Sequence, residues 1–327
     1  MSIITTTHLI KKFKTVSAVD DISFSVSEGE VFGFLGPNGA GKTTTINILC
    51  TLLTPTAGKA VVAGFDTVKE PDRVRSKIGL IFQDTTLDMG LTAYENLKFH
   101  AYLYNLDSRL TERRINEMLG IVDLDARRKD LIKNFSGGMK RRLEIARGLL
   151  HYPRILFLDE PTLGLDPQTR KTIWDFIATL RKTENITVFM TTHYMEEAEN
   201  CDRIGIIDHG RIIALDTPEG LKRLVRGDIV RLVTSDNRRA AVEIRRGFGI
   251  APIEENNCLS LEVERGEELV PKLIRTLSIE TRSVSIRKPT LNDVFLKLTG
   301  RAIREDLPSN GREAMREFVR SHARAQR

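Results

Sequence analysis

Two short apolar runs, at residues 31–35 and 155–158, and a further predicted strand at residues 187–191 divide the first two thirds of the chain. Each run is continuous rather than alternating, which is typical of a strand buried on both faces of a parallel sheet. A glycine-rich loop and a helical stretch at residues 44–53 follow the first run, and residues 87–130 have a mostly helical pattern. The pattern therefore predicts an α/β fold with a parallel sheet at its centre.

The hydrophobic pattern changes after Pro218. Short alternating segments predict strands, and one longer segment, residues 267–277, predicts a helix. The predicted strands are residues 228–234, 241–244, 259–263 and 282–287. This mixture predicts a small C-terminal α+β accessory domain over residues 223–300, in which we identify no catalytic constellation.

A last helix is predicted within residues 289–300. Thr290 and Asp293 form an N-cap pair close to a capping box, and Gly300 suits the end of a helix. The apolar residues of the segment fall on one stripe, which consists of Leu291, Val294, Phe295 and Leu298. Packing against the rest of the chain and docking onto a partner both explain such a stripe. The charged tail that follows, residues 301–327, is expected to be mobile or helical.

The composition is that of a globular protein. The 327 residues correspond to about two domains, with 41% hydrophobic and 29% charged residues. No apolar run approaches the ~20 residues that span a bilayer, and residues 1–14 lack the apolar core of a signal peptide, so we expect a cytoplasmic protein. Cys50, Cys201 and Cys258 are widely spaced and are predicted to be small buried side chains. The net charge of +6 comes from interspersed charges, which favours an ordinary solvated surface.

The loop after the first predicted strand fits the P-loop pattern G-x-x-x-x-G-K-[ST] at every fixed position. Its residues are Gly36, Pro37, Asn38, Gly39, Ala40, Gly41, Lys42, Thr43 and Thr44. Glycines allow successive backbone N–H groups to turn toward phosphates, and the following helix adds its positive N-terminus. We therefore expect Lys42 to reach the β- and γ-phosphates of ATP, and the Thr43 hydroxyl to hold Mg²⁺. A P-loop alone does not separate kinases, GTPases, motors and transporters.

A second pair of candidate residues ends the second predicted strand. Asp159 and Glu160 lie at the carboxyl end of a central strand, where open α/β sheets place their ligands. Asp159 is positioned to hold Mg²⁺ through water, and Glu160 is the natural base or water-orienting group for attack on the γ-phosphate.

A third segment, Ser136, Gly137 and Gly138, begins an amphipathic helix between these two motifs. A serine and two glycines at a helix start expose N–H donors to an anion. At this point the sequence resembles the ABC-type ATPases, whose signature reads L-S-G-G-Q where this chain has F-S-G-G-M. The resemblance implies a P-loop NTPase fold of the ABC ATPase type, with a nucleotide-binding domain over residues 1–222 and a helical subdomain at about residues 87–150.

Other residues match the family's pattern in order. The resemblance implies that Gln83 contacts Mg²⁺ and faces the membrane subunit, and that His193 is the switch histidine at the γ-phosphate. It places Asp166 in the D-loop and Phe13 where the family stacks an aromatic ring on adenine, although tyrosine is commoner there. The implied catalytic residues are thus Glu160, His193, Gln83 and Lys42, and the implied Mg²⁺ ligands are Thr43, Gln83 and Asp159.

The resemblance also implies partners. Two copies of the chain are expected to enclose ATP head to tail, with the P-loop of one copy facing residues 136–138 of the other. An integral-membrane permease would receive the energy of hydrolysis, which places the chain on the cytoplasmic face of the membrane. The segment at residues 289–300 resembles the C-terminal motif of the daunorubicin-resistance-type ATPases. This favours an exporter of drugs or other hydrophobic, lipid-like compounds.

The sequence argues against three other classes of P-loop protein. Chromosome-organising and mismatch-repair ATPases usually insert long coiled coils between the P-loop and the signature, and no heptad run occurs there. Translation factors of this type normally carry two cassettes, and a P-loop kinase lacks the Ser-Gly-Gly segment. We therefore expect no nucleic-acid partner. Steep salt dependence of copurifying nucleic acid would favour the first alternative, and a copurifying multi-helix membrane protein would favour transport.

Overall fold

The computed structural model describes residues 1–184, 186–225, 227–255 and 257–300, so the predicted tail lies outside the described residues. The strands are β1 Ser2–Phe13, β2 Val16–Ser27, β3 Val31–Leu35, β4 Ala57–Val62, β5 Phe65–Asp66, β6 Ile78–Ile81, β7 Ile155–Asp159, β8 Thr187–Thr192, β9 Arg203–Asp208, β10 Arg211–Asp216, β11 Asp228–Thr234, β12 Ile253–Glu255, β13 Cys258–Val263 and β14 Thr281–Arg287. The helices are α1 Lys42–Leu49, α2 Pro71–Arg75, α3 Ala93–Leu103, α4 Ser108–Ile121, α5 Gly137–Gly148, α6 Pro167–Glu184, α7 Met195–Ala198, α8 Pro218–Lys222, α9 Asn237–Phe248, α10 Gly266–Thr276 and α11 Leu291–Thr299.

The central sheet has six strands in the order β10-β9-β3-β8-β7-β6. All neighbours are parallel except the β9–β10 hairpin. Every residue of β3, β7 and β8 is buried, which is why β3 and most of β7 read as continuous apolar runs. The three strands predicted at residues 31–35, 155–158 and 187–191 are therefore confirmed.

The register of this sheet places three loops side by side. Leu35 pairs with Thr192, and Asp159 pairs with Thr191, so the carboxyl ends of β3, β7 and β8 lie at one edge. That edge is where an open α/β sheet binds its ligand. The helix after β3 was predicted at residues 44–53, but α1 begins at Lys42 and ends at Leu49.

Two apolar clusters cover the two faces of this sheet. One lies toward a second, four-stranded antiparallel sheet of order β2-β1-β4-β5. It contains closely packed phenylalanine rings, namely Phe24, Phe32, Phe34, Phe157 and Phe189. The other cluster lies toward the helices α3 to α6. Helices α3 and α4 confirm the helical pattern predicted for residues 87–130.

The C-terminal region forms a third sheet of order β12-β13-β11-β14, in which all neighbours are antiparallel. Its element order β-α-β-β-α-β is that of a ferredoxin-like unit. The strand predicted at residues 241–244 is wrong, because these residues lie inside α9. Asp236 caps this helix, Ala240 and Ile244 face the core, and the arginines on either side of them, at positions 238, 239, 245 and 246, face solvent. The spacing of the buried residues is thus that of a helix.

Helix α11 leaves this unit and packs on the core around the central sheet. Leu291, Val294 and Phe295 are buried in the cluster that covers the helical side of the central sheet, next to α8. The predicted capping box of Thr290 and Asp293 is present. Packing within the chain therefore explains the stripe, except for Leu298, which is exposed. The domain division after residue 222 stays a prediction.

Candidate functional site

The P-loop connects β3 to α1 in a conformation that glycine makes possible. Gly39 and Gly41 have φ values of 79° and 105°, which side chains rarely adopt. A β-carbon at Gly36 would lie 2.2 Å from the carbonyl oxygen of Ile207, so this position has no room for one. The loop ends at the N-terminus of α1, whose first N–H groups and helix dipole favour an anion.

The ammonium of Lys42 lies inside this loop, where the side chain is 5% exposed. Its Nζ donates to the carbonyl oxygens of Gly36 at 2.8 Å and Pro37 at 3.1 Å, and lies 3.2 Å from Glu160 Oε1. Burying a cation is costly unless it is paired and hydrogen-bonded. These three partners satisfy that requirement and hold the ammonium inside the P-loop.

Asp159 ends β7 beside the start of α1. The hydroxyl of Thr43 donates to Asp159 Oδ1 at 3.3 Å, and that of Thr191 donates to the same oxygen at 2.5 Å. Burial raises the pKa of Asp159 above its usual value, although the two threonine hydroxyls partly offset this effect. Oxygen ligands of this kind suit Mg²⁺. In the described ranges no group of three or more His, Cys, Asp or Glu residues could hold a metal ion.

Glu160 lies between a cation and a histidine. Its carboxylate contacts Lys42 through Oε1 and lies 3.3 Å from His193 Nδ1 through Oε2, and all three side chains are less than 10% exposed. Burial raises the pKa of Glu160, but His193 and Lys42 outweigh burial and hold this pKa below its usual value. The carboxylate is therefore anionic at neutral pH.

The backbone of Glu160 is held in an uncommon conformation. Its φ is 47°, in the left-handed region that non-glycine residues avoid. Its N–H is shared between the carbonyl oxygen of Thr191 at 3.2 Å and the hydroxyl of Thr191 at 3.0 Å. Thr191 thus fixes both carboxylate residues through one side chain.

The Ser-Gly-Gly segment caps α5 on another part of the surface. The Ser136 hydroxyl accepts the N–H of Met139 at 3.3 Å, and Ser136 and Gly137 are exposed. A β-carbon at Gly138 would lie 2.5 Å from Thr169 Cγ2, so this glycine lets α5 approach α6 closely. Within the described ranges no hydrogen bond or ion pair joins residues 136–138 to the P-loop.

Three expected site residues lie outside the buried Lys42–Glu160–His193 group. Gln83 has an exposed side chain, and its carbonyl oxygen accepts a hydrogen bond from Arg141 at 3.0 Å. Asp166 caps α6 by accepting the N–H and hydroxyl of Thr169. Phe13 ends β1 with an exposed ring, over which Lys11 Nζ lies 5.1 Å from the centroid.

Sequence reasoning missed three buried polar residues at this edge of the sheet. Besides Thr191, these are Arg141 on α5 and Glu197 on α7. The carboxylate of Glu197 accepts hydrogen bonds from the hydroxyls of Thr162 and Thr192, the latter at 2.6 Å. The hydroxyl-rich end of β8 was a visible hint for Thr191. Nothing in the local pattern predicted the contacts of Arg141 with the carbonyl oxygens of Gln83 and Glu160, or that of Glu197 with Thr162, because these partners are distant in sequence.

Comparison with known proteins agrees with this geometry. Residues 19–163 match the family model described as ABC transporter. The daunorubicin resistance ATP-binding protein DrrA3 of Streptomyces coeruleorubidus is 40% identical over 89% of this chain and 93% of its own length. The chain belongs to the ATP-binding subunits of ABC transporters. The linearmycin resistance ATP-binding protein LnrL of Bacillus subtilis (strain 168) is also 40% identical, over 91% of this chain and 98% of its own.

Solved structures support the same assignment for this ABC subunit. The ATP-binding cassette MJ0796, in a dimeric post-hydrolysis state bound to ADP and Pi, is 28% identical with a TM-score of 0.59. The match covers 65% of this chain and 98% of the cassette. The predicted ABC ATPase fold and the predicted ATPase activity are thereby confirmed. None of the helices in the described ranges has the length and hydropathy needed to cross a membrane.

Proposed function

We propose that two copies of this ABC subunit hydrolyse ATP between them, with Glu160 as the residue that orients and activates water. The observation that carries the proposal is the buried group of Lys42, Glu160 and His193 beside the P-loop. Within one chain, the carboxylate of Glu160 thus has Lys42 and His193 as neighbours and lies next to the loop that is expected to bind phosphates.

The role of Lys42 follows from its present partners. An ATP γ-phosphate entering the loop carries more negative charge than one carboxylate, so it would attract the Lys42 ammonium away from Glu160. Glu160 would then lose a neighbour that holds its pKa down, and it would become a stronger base when the substrate is in place. His193, in contact with the same carboxylate, would orient it and donate a hydrogen bond to the transferring phosphoryl group.

Mg²⁺ fits the oxygen ligands that flank the loop. The hydroxyl of Thr43 and the carboxylate of Asp159 would hold it, directly or through water, with Gln83 as a further expected ligand. The ion would neutralise charge on the phosphates. We likewise propose that Phe13 stacks on adenine and that Asp166 lines the dimer interface.

The second copy would supply the missing donors. Ser136 and Gly137 are exposed at the start of α5, and in the part of the chain that the structure describes residues 136–138 make no hydrogen bond or ion pair with the P-loop. Free N–H groups and a serine hydroxyl at a helix N-terminus suit a γ-phosphate presented by another surface. ATP would thus close a head-to-tail dimer, and hydrolysis would release it.

We propose that a membrane permease docks beside Gln83. Large apolar side chains are exposed on the loop after β6 and on α3, namely Phe82, Phe99, Tyr102 and Leu103. Exposed apolar surface of this kind marks an interaction site. The subunit would then lie on the cytoplasmic face of the membrane. The names of the resistance proteins that it resembles support the export of drugs or other hydrophobic compounds.

The test is the substitution Glu160→Gln, with Glu196→Gln, an exposed carboxylate on α7, as the matched control. Glu160→Gln should bind Mg-ATP as the wild type does, form a stable dimer in sedimentation, and lose turnover by ~100-fold or more. The control should change none of these properties. Hydrolysis by Glu160→Gln at nearly the wild-type rate would remove Glu160 from its role. Nucleotide binding without any pairing, even with the permease present, would refute the dimer.

A further inference from the structure

The guanidinium of Arg141 joins three segments that the sequence keeps far apart. Arg141 lies on α5, one turn after the Ser-Gly-Gly segment, and is 6% exposed. Its Nη1 donates to the carbonyl oxygen of Phe82 at 2.7 Å. Its Nη2 donates to the carbonyl oxygen of Gln83 at 3.0 Å and to that of Glu160 at 3.4 Å. One planar group therefore contacts the permease-facing loop and the proposed catalytic residue.

The same helix holds the rest of that loop through two more buried side chains. Glu144 pairs with Arg141 at 3.1 Å and accepts the N–H of Thr86 at 2.8 Å. Arg147 donates to the carbonyl oxygen of Thr86 at 3.0 Å and also to its hydroxyl. Residues 82–86 are thus fixed to α5 at both ends, and the segment and the helix should move as one body.

We propose that Arg141 is a positioning residue that couples the 82–86 segment and the helix of the Ser-Gly-Gly segment to the backbone of Glu160. This inference rests on the proposed role of Glu160. The guanidinium is a rigid planar group, so a shift of the carbonyl oxygens of residues 82 and 83 also moves Nη2, the donor that Arg141 offers to Glu160. A permease that displaces residues 82–86 would in this way reset the catalytic carboxylate.

The conformation of Glu160 makes such coupling effective. Its φ of 47° persists only while the surroundings hold it. Thr191 holds the N–H of the residue, and Arg141 holds its carbonyl oxygen. Weakening the second contact allows the peptide to relax and the carboxylate to move away from Lys42 and His193. A displacement of about 1 Å at a reacting group costs ~100-fold in rate.

The test compares Arg141→Lys with Arg142→Lys in the purified full-length chain. Lysine keeps the charge but cannot serve three carbonyl oxygens from one plane. Arg142 is the matched control, because it lies on the same helix and donates to the carbonyl oxygen of Val122 at 2.7 Å, away from the site. We expect Arg141→Lys to lower kcat for ATP by ~10- to 100-fold with KM and the unfolding midpoint unchanged. Arg142→Lys should leave kcat unchanged.

A double-mutant cycle with Glu160→Gln distinguishes positioning from structural support. If Arg141 acts through Glu160, Arg141→Lys should cause no further loss of the residual turnover of Glu160→Gln. An additive loss, an unchanged kcat, or a kcat that falls together with KM and the unfolding midpoint would overturn the inference. If the proposed role of Glu160 is wrong, the Glu160→Gln single variant will hydrolyse ATP at nearly the wild-type rate, and this result is separate from the outcome for Arg141.

Discussion

Glu197 offers a sharp test of the electrostatics at this edge of the sheet. Its side chain is 4% exposed, and burial raises the pKa of its carboxyl to about 7, although Thr192 and nearby cations partly oppose this effect. A carboxyl whose pKa is higher in the folded chain than in the unfolded chain binds more protons when folded. The free energy of unfolding must therefore fall as the pH rises. We predict that Glu197→Gln, which has no charge to bury, removes this loss.

The magnitude follows from the size of the pKa change. A rise from 4.5 to about 7 corresponds to ~3 kcal/mol when the group is fully ionised. The contribution is fully present below the unfolded pKa and is lost as the pH passes through the folded one. Between about pH 5 and pH 8, the wild type should lose ~2 kcal/mol that the variant keeps. The threonine hydroxyls that contact Glu197 can still hydrogen-bond to the amide of glutamine in the variant.

The assay is urea unfolding of both proteins across this pH range, followed by circular dichroism without nucleotide. The stability of Glu197→Gln relative to the wild type should increase steadily with pH. Glu196→Gln, one residue earlier and exposed, should run parallel to the wild type. Parallel curves for Glu197→Gln and the wild type would refute the reasoning. So would an equal divergence in the Glu196→Gln control.

Three further substitutions test other contacts. Phe295→Ala should lower the free energy of unfolding by ~3–5 kcal/mol in urea titrations, because it opens a cavity where α11 meets the main core. Thr191→Val keeps the shape but leaves Asp159 and the N–H of Glu160 without a hydroxyl, so steady-state assays should show a lower kcat, with a stability loss of ~1–3 kcal/mol. Burial raises the pKa of Asp293, but Arg287 and Thr290 hold it below its usual value of 3.8. Asp293→Asn should therefore lower the free energy of unfolding at neutral pH, and in an acid titration the difference should shrink as the pH falls below the usual pKa of 3.8 and through the lower folded value.

The central sheet could be predicted because burial on both faces leaves a simple mark on the sequence. Residues 31–35 and 155–158 were continuous apolar runs. The P-loop follows the first run and two carboxylates follow the second, which is typical of the edge where an α/β sheet binds its ligand. The strand prediction for residues 241–244 was wrong because this segment carries no such distinctive pattern. A short segment such as Ala-Val-Glu-Ile satisfies the alternation of a strand and the period of a helix equally well. Only the cap at Asp236 and the buried Ala240 decide between them.

The motif residues of the site could be named from the sequence, but their support could not. Lys42 and Glu160 belong to local patterns with a known chemical task. Arg141 contacts the carbonyl oxygen of Glu160, and Glu197 contacts the hydroxyl of Thr162, which lie 19 and 35 residues away in the chain. These partners become neighbours only through the packing of α5 and α7 on the sheet. No local spacing encodes such contacts.

The return of α11 to α8 has a consequence for the accessory sheet. The chain leaves the core around the central sheet at Pro218–Lys222 and comes back to it at Leu291–Thr299, and these two helices touch. The segment between them is therefore an insertion whose two ends lie next to each other. A unit inserted in this way can be enlarged, exchanged or bound by a regulator while α11 keeps its place in the core. Strain applied to the unit would act where α8 and α11 pack on the core.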